Sequence, residues 1–149
     1  MKLPVVVLPH GEGLPLPRYE TSYSAGMDIR AAIPEGEVIK LHPMERAAIP
    51  TGICLAIPVD YEVQIRPRSG LAFRHGISIV NAPGTIDSDY RGEVKVLLIN
   101  LGPVPVEITR GMRIAQMVLC PIAHALLYEV DVLDKTKRGE GGFGSTGDK

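Results

Sequence analysis

Apolar and polar positions alternate in short runs along this chain. In Tyr61–Arg66, Tyr61, Val63 and Ile65 share one face while Glu62, Gln64 and Arg66 share the other. That period of two is the mark of a half-buried strand. Similar short runs, apolar and rich in β-branched residues, lie at 4–8, 37–41, 52–57, 77–81, 93–100, 104–108 and 114–122. Across 126–133, Glu129 and Asp131 sit between apolar neighbours. This alternation predicts a last strand rather than a helix continuing from 123–125. Turn residues recur about every ten positions, the spacing of an all-β sandwich or barrel. One short helix is predicted over Ser69–His75, after Pro67.

Composition sharpens this picture. Thirteen prolines, the last at Pro121, and sixteen glycines leave few stretches in which a helix could run. The 149 residues fit one domain with its own core. Beyond Leu133 the pattern stops: 134–149 is charged and glycine-rich, with Phe143 its one apolar residue. Such a segment buries too little surface to offset its ordering entropy. The chain therefore divides into a β domain over 1–133 and a flexible arm over 134–149, which either has no function or closes over a site.

Charge and cysteine content narrow the classes further. The net charge is −1 with both signs interspersed, so no basic face is offered to nucleic acid. Arg110 with Arg113, and Lys135, Lys137 and Arg138, form short basic groups that read as solvated faces. Cys54 and Cys120 are far apart in apolar surroundings, as reduced core thiols would be. His10, His42, His75 and His124 show no paired metal-ligand spacing. The apolar run near the N-terminus is cut by Pro4 and Pro9 and is too short for a signal peptide or membrane span. A cytoplasmic protein without a membrane or nucleic-acid partner is expected.

Five segments look unlike plain strand or turn: AGMDIRAA (25–32), PRSGLA (67–72), GTIDSDYRGEVKVLLIN (84–100), GMRIAQMV (111–118) and RGEGGFGSTG (138–147). In the second, Arg68, the Ser69 hydroxyl and backbone freed by Gly70 suit phosphate oxygens, although the same residues make an ordinary turn. In the third, Asp87 and Asp89 precede Tyr90. They serve either as turn-capping carboxylates or as a general base beside an aromatic ring that packs on a sugar. The fifth spaces Gly139 and Gly144 as a P-loop does, but Ser145 stands at the lysine position and no helix can follow. A flexible arm that wraps phosphates remains open.

Taken in order, the five segments resemble the five motifs of the trimeric all-β dUTP pyrophosphatases (dUTPases), over residues 25–147. The resemblance implies a distorted jelly roll, a homotrimer with shared active sites, and a flexible C-terminal arm. It implies hydrolysis of dUTP to dUMP and pyrophosphate, which keeps uracil out of DNA and supplies dUMP for dTTP synthesis. On the matching positions, Asp87 is the catalytic base. Asn81, Thr85 and Ile86 belong to the hairpin that reads uracil, Tyr90 packs under the deoxyribose and rejects a 2′-hydroxyl, and the backbone at Lys95 reaches the base. Arg68, Ser69, Gly70 and Gln116 hold phosphates. In the arm, Phe143 stacks on uracil while Arg138, Gly144, Ser145 and Thr146 close on the γ-phosphate. The implied cofactor is Mg²⁺, held mainly by the substrate phosphates, with Asp28 near it through water.

Two other readings fit the same fold. The dCTP deaminases require a glutamate three residues before the strand asparagine, but Leu97 holds that place before Asn100. A nucleotide-sensing protein would tolerate loss of Asp87, Tyr90 or Phe143, and all three are present.

Overall fold

The computed structural model describes residues 1–142. Ten strands and one short α-helix make up its regular structure: β1 (Val5–Val7), β2 (Met27–Arg30), β3 (Val38–Leu41), β4 (Arg46–Leu55), β5 (Tyr61–Arg66), α1 (Ser69–His75), β6 (Ile77–Ile79), β7 (Gly84–Ile86), β8 (Glu93–Asn100), β9 (Val106–Thr109) and β10 (Arg113–Pro121). A 3₁₀ turn, Pro9–Gly11, follows β1. The expected all-β architecture is present. Among the described residues, no helix is long and apolar enough to cross a membrane.

All pairings are antiparallel and form three sheets, ordered β1-β4-β8-β6, β2-β10-β5-β7 and β3-β9. Alternation builds the core. On β8, Val94, Val96 and Leu98 are buried while Lys95 and Leu97 face out. These three join Ile49 and Ile53 of β4, Val63 and Ile65 of β5, Met117 of β10 and Ile108 of β9 in one apolar cluster. The inner faces of all three sheets therefore share a single core. Asn100, fully buried at the end of β8, donates Nδ2–H bonds to the Leu41 and Val104 carbonyls and accepts the Gly102 N–H. It ties β3 and the loop before β9 to the end of β8.

The helix forms as the sequence predicts. Arg68 is extended, α1 begins at Ser69, and the left-handed Gly76 (φ 69°) ends it with its N–H on the Ala72 carbonyl. A Cβ at Gly76 would stand 2.4 Å from the Gly102 nitrogen, so the position needs glycine for space as well as for φ.

Three elements depart from expectation. β4 starts at Arg46, well before the predicted 52, although Pro50 lies within it. The strand tolerates the proline because the pairing with β8 shifts register between Pro50 and Cys54. β2 lies within the AGMDIRAA segment, whose motif masked its strand character. The predicted strand over 126–133 does not form. This stretch follows the last sheet strand and pairs with no strand among the described residues, and Leu126 and Leu127 are each 91% exposed.

Candidate active site

The phosphate-type residues converge on a buried carboxylate. Asp28, on β2, is 6% exposed and sits opposite Gln116 of β10 in the sheet register. Its Oδ1 accepts Arg68 Nε–H at 3.2 Å and Gln116 Nε2–H at 3.3 Å, and its Oδ2 accepts Arg113 Nη1–H at 2.9 Å. Arg68 Nη1 donates in addition to the Arg113 carbonyl at 3.1 Å. Two guanidiniums around one carboxylate leave one net positive charge. Ser69, exposed at the start of α1, and Gly70 lie next to it in the chain.

Arg113 and Gln116 are three apart, a spacing that would put them on opposite faces of a regular strand. A register shift between Arg113 and Ala115 removes that conflict, and the consecutive buried pair Ile114 and Ala115 is its signature. Arg113 is thereby turned onto Asp28. Its reading as part of a solvated face is thus corrected. Arg110 is also engaged, donating to the His10, Ile33 and Glu12 carbonyls.

The second group lies on the hairpin. β7 pairs with β5, with Thr85 opposite Gln64 and Ile86 opposite Val63. The Asn81 side chain packs against Gly84, where an added Cβ would meet its Nδ2 at 3.4 Å. Asp87 is exposed just past β7, and its carbonyl accepts the Tyr90 N–H at 3.2 Å, closing the turn. The Tyr90 hydroxyl donates to the Glu93 carbonyl at 3.0 Å. Lys95 is exposed on β8, 4.0 Å from Glu93 Oε2.

Sheet register sets the distance between the two groups. Asp28 on β2 and the hairpin beyond β7 lie at opposite edges of the sheet β2-β10-β5-β7. Gln116 faces Asp28 and Arg66, whereas Asp87 follows Ile86, which faces Val63 and, beyond it, Leu119. Three interstrand steps and four residues along the strand separate Asp87 from Asp28 by roughly 20 Å. Among the described residues no hydrogen bond links the two groups.

Arg138 donates Nε–H to the Gly141 carbonyl in a local turn of the arm. Phe143, Gly144, Ser145 and Thr146 lie outside the described residues. Among those described, no three His, Cys, Asp or Glu side chains converge as a metal site. Asp28 Oδ1 accepts two N–H donors and Oδ2 one, so the carboxylate keeps a lone pair that can accept a water leading to a metal.

Sequence reasoning missed Arg113, because its face depends on the bulge, and it missed the contact of His10 with Glu93 (2.6 Å), for which spacing in the chain carries no signal.

Guanidiniums held at fixed angles by a buried carboxylate make a receptor for phosphate oxygens, and here they sit on an all-β scaffold whose opposite sheet edge carries an exposed aspartate and tyrosine. That combination defines the class as a β-sheet protein that handles a phosphorylated small molecule. Comparison with known proteins is more specific. The family model dUTPase matches residues 12–147. The chain is 59% identical over 147 residues to the deoxyuridine 5'-triphosphate nucleotidohydrolase of Rhizobium meliloti (strain 1021), covering 99% of this chain and 92% of that one. It is also 59% identical over 145 residues to that of Brucella melitensis biotype 2, covering 97% and 92%. The dUTPase of Staphylococcus bacteriophage 80alpha, solved with dUPNHPP, superposes with a TM-score of 0.83 at 28% identity, covering 98% of each chain. A mutant dUTPase of phage phi11 that coordinates a structural Mg(II) ion superposes at 0.76 with 25% identity, covering 89% of this chain and 98% of that one. The chain belongs to the dUTPase family.

Proposed function

We infer that the protein hydrolyses dUTP to dUMP and pyrophosphate. The observation that carries this, beside family membership, is the cationic cluster that Asp28 organises from Arg68, Arg113 and Gln116.

Arg68, the Ser69 hydroxyl, the Gly70 backbone and the Gln116 amide hold the triphosphate. Asn81 and the backbone at Thr85 and Ile86 receive uracil, and Lys95 contributes through its backbone. Tyr90 lies under the deoxyribose. The Asp87 carboxylate accepts a proton from water as the water oxygen bonds to the α-phosphorus. The bond from that phosphorus to the bridging oxygen breaks, and pyrophosphate leaves with the electron pair. Base catalysis of this kind contributes about a hundred- to ten-thousand-fold. Mg²⁺ would be held mainly by the substrate phosphates, with Asp28 near it through water, and would supply positive charge against the charge developing on them. Residues 134–149 act as an arm apart from the β domain over 1–133. Arg138, Phe143, Gly144 and Ser145 close over the bound nucleotide and exclude water.

The separation of roughly 20 Å between Asp87 and Asp28 follows from strand spacing and is too large for both to serve one α-phosphate. We therefore assign the hairpin of one subunit and the Arg68 cluster of another to a shared site in a homotrimer. The exposed apolar stretch with Leu126, Leu127 and Leu133, and the 92% exposed Phe73, supply surface for subunit contact. Cys54 and Cys120 are free thiols, in keeping with a cytoplasmic enzyme.

The test follows pyrophosphate release from dUTP, dCTP, dTTP and UTP with Mg²⁺, using Asp87→Asn as control. Release from dUTP alone, abolished in the variant, supports the reaction and the base. Ammonia release from dCTP points to deamination. Tight dUTP binding without turnover points to a sensor.

A further inference from the structure

Behind the hairpin lies a contact that the proposed chemistry does not use. His10, in the 3₁₀ turn, places Nε2 2.6 Å from Glu93 Oε1. The same oxygen accepts the Gly52 N–H at 2.9 Å. The Glu93 side chain is only 14% exposed. Burial pushes its carboxyl up. The His10 and Gly52 hydrogen bonds, with the charges of His10 and Lys95, outweigh this and hold it below the ordinary carboxylate value.

The turn that carries His10 is itself fixed. Arg110 Nη1 donates to the His10 carbonyl at 2.7 Å, and the Leu8 N–H donates to the Gly52 carbonyl at 2.8 Å. Glu93 is thus bonded by its side chain to β4 and to the N-terminal turn. Its backbone carbonyl, on the same residue, receives the Tyr90 hydroxyl. The Tyr90 ring rests on Gly92, where a Cβ would stand 2.4 Å from the hydroxyl oxygen and 2.6 Å from Cζ. Gly92 and the Glu93 carbonyl together fix how the ring lies, so a shift of Glu93 carries the ring with it.

We propose that Glu93, anchored by His10 and the Gly52 N–H, is a positioning residue for Tyr90 and thereby sets the discrimination between 2′-deoxy and 2′-hydroxy nucleotides. The identity of the sugar rests on the dUTP reading above. The Tyr90 contact with Glu93 does not. Glu93→Ala removes the side-chain anchor and leaves the peptide carbonyl held only by the pairing of β8 with Cys54 of β4, at the end of the strand. Glu93→Gln keeps an acceptor for the Gly52 N–H and for His10.

The experiment measures kcat and KM for dUTP and UTP in the full-length wild type, Glu93→Ala, Glu93→Gln and His10→Ala. It also records the Tyr90 ring resonances of unliganded, ¹³C-tyrosine-labelled protein, assigned with Tyr90→Phe. Glu93→Ala and His10→Ala are expected to lower the ratio of kcat/KM for dUTP over UTP about tenfold, the equivalent of one hydrogen bond. The loss appears mainly as a higher KM for dUTP. Both variants shift the Tyr90 ring resonance, and Glu93→Gln restores ratio and resonance. A purely structural role predicts a lower melting temperature with an unchanged ratio and an unmoved resonance, and that result overturns the proposal. If Glu93→Ala does not fold, His10→Ala decides. If the wild type fails to turn over dUTP, the functional reading falls, and the resonances alone decide whether Glu93 positions Tyr90.

Discussion

Asp28→Asn keeps the shape of the side chain and removes its charge from between two guanidiniums. In the native protein the carboxylate accepts Arg113 at 2.9 Å and Arg68 at 3.2 Å. A hydrogen bond to a charged group contributes about 1.5–3 kcal/mol when shielded from solvent. The Arg68 and Arg113 side chains are 24% and 40% exposed, so screening reduces each contribution. The variant should lose about 2–3 kcal/mol, because the asparagine keeps one acceptor but no charge. For a chain of 149 residues this lowers the melting temperature by about 5–10 °C. The assay is thermal unfolding in EDTA, so that no metal contributes, repeated with pyrophosphate. A bound anion takes the place of the missing charge, so pyrophosphate should stabilise the variant more than the wild type. An Asp28→Asn melting temperature within about 1 °C of wild type in EDTA would refute the argument. It would mean that the carboxylate acts only through a metal-bound water and does not organise the arginines.

Three further outcomes follow from the same structure. Asn100→Leu strands the Leu41 and Val104 carbonyls and the Gly102 N–H in the core and should cost at least about 3 kcal/mol in urea unfolding. Gly76→Ala combines a positive φ with a 2.4 Å approach to Gly102 and should lower stability by at least about 2 kcal/mol, read by the same titration. The folded-state pKa of Glu93 lies below its ordinary value of 4.5. Its contribution to stability is therefore complete above that pH and is lost as the pH falls through the lowered value. Glu93→Gln should flatten this acid limb in a series of melting temperatures from pH 6 to pH 3, and an unchanged slope would contradict the assignment.

Much of the scaffold was legible because its signals are local. The runs Tyr61–Arg66 and Glu93–Asn100 specified β5 and β8 to the residue, and the short helix read after Pro67 is α1. Residue chemistry marked Arg68, Ser69 and Asp87 as candidates without any knowledge of the fold. The same local logic failed at 126–133. Glu129 and Asp131 alternate with apolar residues there, but a strand needs a hydrogen-bonding neighbour, and among the described residues this stretch has none.

By itself, then, the sequence determined what each short segment can do: its secondary-structure preference, the faces of its regular strands, and the order of five motifs that resemble one family. Tertiary structure alone decided which faces meet. The bulge between Arg113 and Ala115 brings two side chains of unlike parity onto Asp28. The antiparallel stacking of β2, β10, β5 and β7 sets Asp87 apart from the arginines around Asp28. The contact of His10 with Glu93 spans 83 positions of chain. The physical reason is the same in each case. Periodicity and propensity act over a few residues, whereas register, bulges and long-range pairs are chosen by burying one shared core.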